Sequence, residues 1–333
     1  MENNKDGIMK KDINNEKIDL VYCWVDGNDE QWKNKKLFYQ KADENYDTMA
    51  VNDCKFRSND ELKYSLRSVE KFAPWINHIY IVTDHQTPSW LDTSNHKITM
   101  VNHEDIMPKD ALPTFNSIAI EMYLDLIPNL SEYFLYANDD MFFADYVTPQ
   151  FFYKKDGKLI CRFKKSLKQK NTMYVSMIEN SQNAIEKTFN KKYTMVPHHS
   201  VDAYKKSLIK ECKKVFEQEV SQNLYSKFRN ENNCERILFL YYALAIKQGD
   251  KKIISKIDSY LPLYKKIQNY LLKKYKQDSI VIQANNEYIN EIFERYKPIL
   301  GCINDKPNVT VQDRERVNIF YETLFPKKSS FEK

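Results

Sequence analysis

A chain of 333 residues, 42% of them hydrophobic, is long enough to bury a sizeable core, as one large domain or as a domain with an appended lobe. Its net charge of +5 is a mild basic excess on dispersed lysines, which argues against a nucleic-acid partner and suits an anionic small substrate or an anionic membrane surface. With only five glycines, Gly7, Gly27, Gly157, Gly249 and Gly301, neither a G-x-G-x-x-G loop nor a Walker loop can be written, so any phosphate must be neutralised by metal ions and by Arg, Lys or His side chains.

The segment Met1 to Lys17 is polar and lacks the apolar core of a signal peptide. Ile18 to Val25 reads as a strand ending at Asp26-Gly27, where Gly27 permits a tight turn and Trp24 offers a flat face to a base or sugar. A helix is expected around Glu30 to Lys41. Arg57 precedes a second helix, marked by the capping-box spacing of Ser58 and Glu61 and by Leu62, Leu66, Val69 and Phe72 up to Pro74. An arginine beside free helix N–H groups makes an anion site, although a surface pairing with Asp60 or Glu61 is the simpler role for Arg57 taken alone. Strands follow at Ile79 to Thr83, before Asp84, and at Lys97 to Asn102, before His103. Thr114 to Leu126 reads as a helix stopped near Pro128, with Asn116 and Ser117 at its start as ligand donors or as caps.

Tyr133 to Ala137 is an apolar, aromatic run that ends in Asn138-Asp139-Asp140 and resumes as Met141-Phe142-Phe143. Two carboxylates and an amide between such flanks are costly to bury unpaired. They are tolerable where a metal ion, a sugar or a phosphate-bearing ligand sits at the carboxyl end of a strand. An Asn-Asp turn leaving the strand is the plain alternative. Strands separated by helices, several ending in Asp26, Asp84, His103 or Asp139, predict an α/β fold: a mostly parallel, Rossmann-like sheet with flanking helices and a polar carboxyl edge.

The second half is more helical. A lobe boundary is expected near 144–160, and Arg162 to Lys170 holds five basic residues that are a guide for an anionic acceptor or simply a solvated face. Val196-Pro197-His198-His199 offers an imidazole as acid or base, or an ordinary loop. Helices are predicted over Val201 to Val220, Glu235 to Gln248, Leu261 to Tyr275 and Glu287 to Tyr296, and short strands over Ile253 to Ile257, Ser279 to Ile282 and Ile299 to Ile303, the last leading to Asn304-Asp305. Arg229 is a phosphate clamp or a solvated charge. Six widely spaced cysteines without a Cys-x-x-Cys pair read as reduced thiols of a cytosolic protein, and the apolar stretch Leu238 to Ile246 is too short to cross a bilayer.

Several segments together resemble the Stealth family of sugar-1-phosphate transferases: Ile18 to Gly27; Phe56 to Phe143, with Arg57, Glu61-Leu62, Ser65 to Val69, Ala73-Pro74-Trp75, Ile79 to Asp84, Leu112 to Ser117 and Asn138 to Asp140; Pro197-His198 through Phe228-Arg229 to Tyr242; and Cys302 to Asp305. Cys23, Ser58 and Ala137 depart from the family pattern without removing a candidate catalytic group. The resemblance implies attack of a glycan hydroxyl on the β-phosphorus of a UDP-sugar, with release of UMP. In that reaction Asp305 and Asn304 would hold Mg²⁺ (or Mn²⁺), and Asp139 or Asp140 would orient or deprotonate the acceptor, with His198 as the competing base. Arg57 and Arg229 would neutralise the diphosphate, and Asp26 and Asn116 would position substrate. A UDP-sugar glycosyltransferase releasing UDP and a non-catalytic glycan-binding protein remain as alternatives. The expected organisation is a disordered tail at 1–16, one catalytic domain at 17–326 (an α/β core at 17–143 and a helical second half at 160–326 completing the site) and a tail at 327–333. The expected place of work is the cytoplasm, with peripheral inner-membrane association where the acceptor is lipid-linked.

Overall fold

The computed structural model describes residues 12–42, 46, 48–165, 172–254 and 277–333. The helix expected over Leu261 to Tyr275 lies outside them, as do parts of the N-terminal tail, the basic run and the strand expected from Ile253. In chain order the strands are β1 (Ile18–Cys23), β2 (Ile79–Thr83), β3 (Ile98–Asn102), β4 (Tyr133–Asn138), β5 (Met141–Phe143), β6 (Leu159–Lys164), β7 (Val196–Pro197), β8 (Asp202–Lys205), β9 (Gly249–Ile253), β10 (Ser279–Gln283) and β11 (Leu300–Asn304).

The main sheet has the order β3-β2-β1-β4-β8, with β8 antiparallel to β4 and the other pairs parallel. β1 and β4 are near-continuous apolar runs because both faces of a central parallel strand are covered. The one acidic residue within β1, Asp19, is buried but accepts bonds from Asn77 Nδ2 and Ser131 N, each at 2.7 Å. After β1 the chain builds β2 and β3 on one side and returns to β4 on the other. The order therefore reverses between β1 and β4, which opens a crevice at their carboxyl ends, where Cys23 registers with Asn138. Asp139-Asp140 turns the chain out of this sheet into β5, which pairs antiparallel with β11, and β11 pairs parallel with β10. Met141 opposite Cys302 and an Ile303 N–H donating to Asp140 O at 3.3 Å bring Asn304-Asp305 to the same crevice from a distant part of the sequence. A third sheet orders β7-β6-β9.

Helix Glu61–Phe72 buries Leu62, Leu66, Val69 and Phe72 as its spacing predicts. Its Ser65 hydroxyl, 2.7 Å from the Tyr22 hydroxyl, also donates to Met141 O and so pins β5 beside β1. The capping box is not formed: Asp60 at φ 64° is the N-cap without a side-chain bond, and Glu61 instead accepts from Asn59 N and Nδ2. The helix expected over Thr114 to Leu126 shortens to Ser117–Glu121 with a 3₁₀ turn at Leu124–Leu126. The stretch Val201 to Val220 divides into β8 and helices Lys206–Val215 and Glu217–Leu224, because pairing of Asp202–Lys205 with Tyr133–Tyr136 overrides local helical preference. Helices Ile237–Ala245 and Ile289–Tyr296 are shorter than their patterns. Residues 327–333 are packed rather than frayed: Phe331 is buried, and Arg67 holds Glu332 at 2.8 and 2.6 Å.

One buried apolar cluster includes residues of both halves of the chain. Gly301 sits where a Cβ would lie 2.3 Å from Phe142 Cζ, and Phe142 is held among Phe293, Phe320, Tyr321 and Phe325. Gly301→Ala is expected to cost about 1–3 kcal/mol from overpacking. A urea midpoint equal to that of wild type would show that the aromatic cluster can yield.

Candidate active site

The crevice at the β1/β4 switch point is a cavity lined by residues from every family-like segment: Trp24 after β1, Arg57 and Glu61 before and within the next helix, Ser117, Asn138-Asp139-Asp140, Arg229, and Asn304-Asp305 after β11. Gly27 builds one wall indirectly. Its N–H donates to Phe56 O at 2.6 Å, and a Cβ there would approach that oxygen to 2.3 Å, so only glycine lets this turn lie against Phe56-Arg57. Phe115 stacks on Phe228 with centroids 5.2 Å apart and donates its N–H to Lys227 O, which places Arg229 over the start of helix Ser117–Glu121. Arg229 Nη2 donates to Ser117 Oγ at 2.8 Å.

Carboxylates and cations meet across this cavity. Arg57 Nη1 donates to Asp305 Oδ2 at 2.7 Å. Lys55 also lines it, and burial, then the positive charge of Arg229, holds its amine below the usual lysine range. Lys55, Arg57 and Arg229 thus crowd like charge into one place, which an anionic ligand would relieve. On the acidic side, burial, then Glu61 and Asp140, pushes Asp139 well above the usual carboxylate range, and burial lifts Glu61 to about 7. Asp140 Oδ1 is buried and makes no hydrogen bond among the described residues.

The donor set fits a hard divalent cation. Asp139, Asp140, Asn138, Asn304 and Asp305 offer oxygens to one cavity, and the orphaned Asp140 oxygen is where such an ion would be most needed. Asp305 is less free than its sequence suggests, since one oxygen is taken by Arg57 and the other by its neighbour's Lys306 N–H. Asn304 directs Nδ2 to Cys302 Sγ at 3.0 Å.

Four expected residues do not line the cavity, and of these Gly27 shapes it only through its contact with Phe56. Asp26 forms a turn, accepting from Asn28 N at 2.9 Å, while its backbone N–H donates to Gln86 Oε1 and its carbonyl accepts from Gln86 Nε2. Asn116 is fully buried as the cap of helix Ser117–Glu121, accepting from Ile118 N and donating Nδ2 to Ser226 O and Asn233 Oδ1. Its capping role therefore stands, and Ser117 is the residue of the pair that reaches the cavity. His198 is buried behind the wall, and burial, then Lys164, His199 and Arg162, presses its imidazole down to about 3, so it is neutral at pH 7. His199 is the histidine of that pair at the cavity, with Nε2 3.9 Å from Asp140 Oδ2.

Lys55, Glu61 and the aromatic wall of Trp32, Phe56 and Phe115 also line the cavity without being site candidates on sequence alone, whereas His103 stands out there only as a strand-end residue and His199 only as one of a histidine pair. In the sequence Lys55 is marked only by its closeness to Arg57, and the spacing of Glu61 from Ser58 points to helix capping. Behind the cavity, Tyr136 Oη lies 2.8 Å from both Glu121 Oε1 and Asn138 Oδ1, and Arg236 Nη1 lies 3.8 Å from Glu121 Oε2.

Glu61 and Glu235 both rise to about 7 through burial. Each keeps its proton in the folded chain while the unfolded chain ionises near 4.5, so each contribution to stability is full below that pH and is lost as pH rises through about 7. His103, lowered to about 4 by burial, acts in the opposite sense, so the informative quantity is a difference. The stability advantage of Glu61→Gln over wild type, read from urea midpoints, is expected to grow between pH 5 and pH 8. A constant difference would mean that Glu61 ionises normally.

A parallel-sheet switch point that sets acidic oxygens against cationic side chains is an arrangement able to hold an anionic, phosphate-bearing ligand. Residues 55–160 match Stealth protein conserved region 2. The chain is 31% identical to the exopolysaccharide phosphotransferase of Lactiplantibacillus plantarum over 95% of this chain and 96% of that protein. It is 37% identical to a capsular polysaccharide phosphotransferase of Actinobacillus pleuropneumoniae over 75% of this chain and 71% of that one. It is 32% identical to a capsular polysaccharide phosphotransferase of Neisseria meningitidis serogroup A, covering 95% of this chain but 57% of that longer protein. The chain belongs to the Stealth family and is an enzyme of the phosphotransferase class. Among the described residues, no helix is long and apolar enough to cross a membrane.

Proposed function

We propose that the protein transfers a sugar-1-phosphate from a UDP-sugar to a hydroxyl of a capsular or other cell-surface glycan, releasing UMP. The observation that carries this reading is the convergence of Asp139, Asp140 and Asp305 with Lys55, Arg57 and Arg229 in one cavity. The cations bind and orient the diphosphate, with Ser117 steadying Arg229 and Trp24 offering a face to the base or sugar. The acceptor oxygen forms a bond to the β-phosphorus as the bond from that phosphorus to the bridging oxygen breaks. UMP leaves with the bridging oxygen, and the acceptor proton passes to Asp139 or Asp140. The raised proton affinity of Asp139, caused first by burial, suits it to receive that proton. Asp140, Asp305 and Asn304 would hold Mg²⁺ or Mn²⁺, which when bound neutralises charge developing on the phosphate oxygens. The acceptor is expected to be polysaccharide of the capsule or exopolysaccharide kind named in the relatives, met in the cytoplasm at the inner membrane.

The test is the identity of the released nucleotide when the protein is incubated with UDP-GlcNAc and other UDP-sugars, Mg²⁺ and a panel of capsule oligosaccharides. Acceptor-dependent UMP supports the proposal. Acceptor-dependent UDP would replace it with glycosyl transfer, in which the sugar carbon–oxygen bond breaks. Arg229→Ala is expected to lower kcat/KM about 10- to 10²-fold through loss of a charge-assisted contact to phosphate, and an unchanged value would remove Arg229 from the site.

A further inference from the structure

We propose that Asp140, His199 and Cys302 form a site for a borderline-soft divalent cation such as Zn²⁺, and that filling it stops transfer by engaging Asp140. One ligand atom from each residue lies within 4.8 Å of the others. Asp140 Oδ2 stands 3.4 Å from Cys302 Sγ and 3.9 Å from His199 Nε2. Ligand atoms bound tetrahedrally at Zn–S of about 2.3 Å and Zn–N or Zn–O of about 2.0–2.2 Å sit roughly 3.5 Å apart, so only a small inward movement is needed. His199 can supply it, because its side chain is 29% exposed and borders the cavity.

The donor types differ from the oxygen set. Sulfur and imidazole nitrogen select Zn²⁺ or Co²⁺ over Mg²⁺, which demands oxygen ligands. Supporting groups are in place: Asn304 Nδ2 donates to Cys302 Sγ at 3.0 Å, a contact that orients the sulfur, and Asp140 Oδ1 is buried without a partner among the described residues. Asp140 and His199 line the cavity, so a cation entering there meets the sulfur directly behind the carboxylate. Binding exchanges the thiol proton for the metal, leaving three protein ligands and one open position for water or a substrate oxygen. The inhibitory half of the proposal rests on the function proposed above, whereas the binding half does not.

The experiment is titration of the full chain with Zn²⁺ against a chromophoric chelator, and with Co²⁺ as a spectroscopic probe whose thiolate charge-transfer absorption reports sulfur ligation. Wild type is expected to bind one equivalent and to show the thiolate band. Cys302→Ser abolishes the band, and Cys302→Ser and His199→Asn each weaken binding at least tenfold. Cys54→Ser, at another cavity thiol, leaves binding and band unchanged. No stoichiometric binding, or equal binding by wild type and the folded His199→Asn protein, overturns the site. In the transfer assay, Zn²⁺ is expected to inhibit wild type at a concentration at least tenfold lower than it inhibits His199→Asn. Equal sensitivity overturns the inhibitory half, and the titration reads the site even if the transfer reaction proves to be another.

Discussion

Asp139→Asn and Asp140→Asn are each expected to lower kcat by about 10²- to 10⁴-fold, the range associated with loss of a positioned general base. The two substitutions should differ in everything else. Asp139 is held above the usual carboxylate range by burial and by the neighbouring charges of Glu61 and Asp140. A carboxylate in that position burdens the folded state once it ionises, and a neutral amide of the same shape removes the burden. Asp139→Asn should therefore have a urea midpoint at pH 8 no lower than that of wild type while its turnover collapses. That combination separates a chemical role from a folding defect. Asp140→Asn should also weaken Mg²⁺ dependence, because its unpartnered Oδ1 is the oxygen most available to a hard cation. Wild-type turnover by both folded variants would end the assignment of this pair to the reaction.

Arg236→Met should destabilise the protein by about 3–5 kcal/mol, the cost of removing one partner from a buried ionic cluster. Arg236 Nη2 lies 3.1 Å from Asp202 Oδ2, and Nη1 lies 3.7 Å from Glu235 Oε1 and 3.8 Å from Glu121 Oε2. All four side chains are buried, so the variant leaves three carboxylates without their cation. Methionine matches the length of the arginine stem but not its charge, so the loss reads electrostatics rather than a cavity. Protonation relieves uncompensated carboxylates, so the defect should be smaller at pH 5 than at pH 8. Glu235, already raised to about 7 beside Arg236, will take up its proton readily. The cluster also reaches the cavity through Tyr136, which joins Glu121 to Asn138, so turnover should fall as well. A loss below about 1 kcal/mol in urea unfolding would show that water or rearrangement satisfies the carboxylates.

Much of the α/β core was legible because burial of a parallel strand leaves a plain mark. The pattern of Ile79–Thr83 matches the observed strand to the residue, and the apolar run Tyr133 to Ala137 forms all but the last residue of strand Tyr133–Asn138, with the polar tripeptide at its carboxyl end. The helix Glu61–Phe72 was equally clear, since a 3.6-residue apolar period has no other reading over that length. Where the reading failed, a distant partner had decided the outcome. Asp202–Lys205 belongs to a helix by local pattern and to a strand because β4 offers an open edge. Glu61 looks like half of a capping box, yet its carboxylate turns back onto Asn59 and faces the acidic cavity. Asn116 and Ser117 are equivalent donors on paper, and only bonds to Ser226 and Asn233 determine that the first is buried and the second is free to meet Arg229.

The histidine pair shows the limit most plainly. Adjacent residues at a strand end point to opposite sides, and no composition or spacing says which of His198 and His199 reaches the cavity. Residue types, their order and their resemblance to a family pointed to the chemistry proposed above: oxygen donors for a hard cation, and cationic side chains for a phosphate with no glycine-rich loop to cradle it. Those properties belong to single residues and short windows, which the chain carries wherever it folds. Which carboxylate is orphaned, which arginine is already paired, and that Cys302 stands beside Asp140 are relations between distant segments, 248 residues apart for Arg57 and Asp305 and 162 for Asp140 and Cys302. Strand order and the exit of β5 from the main sheet create those relations, and they exist only once the chain has packed.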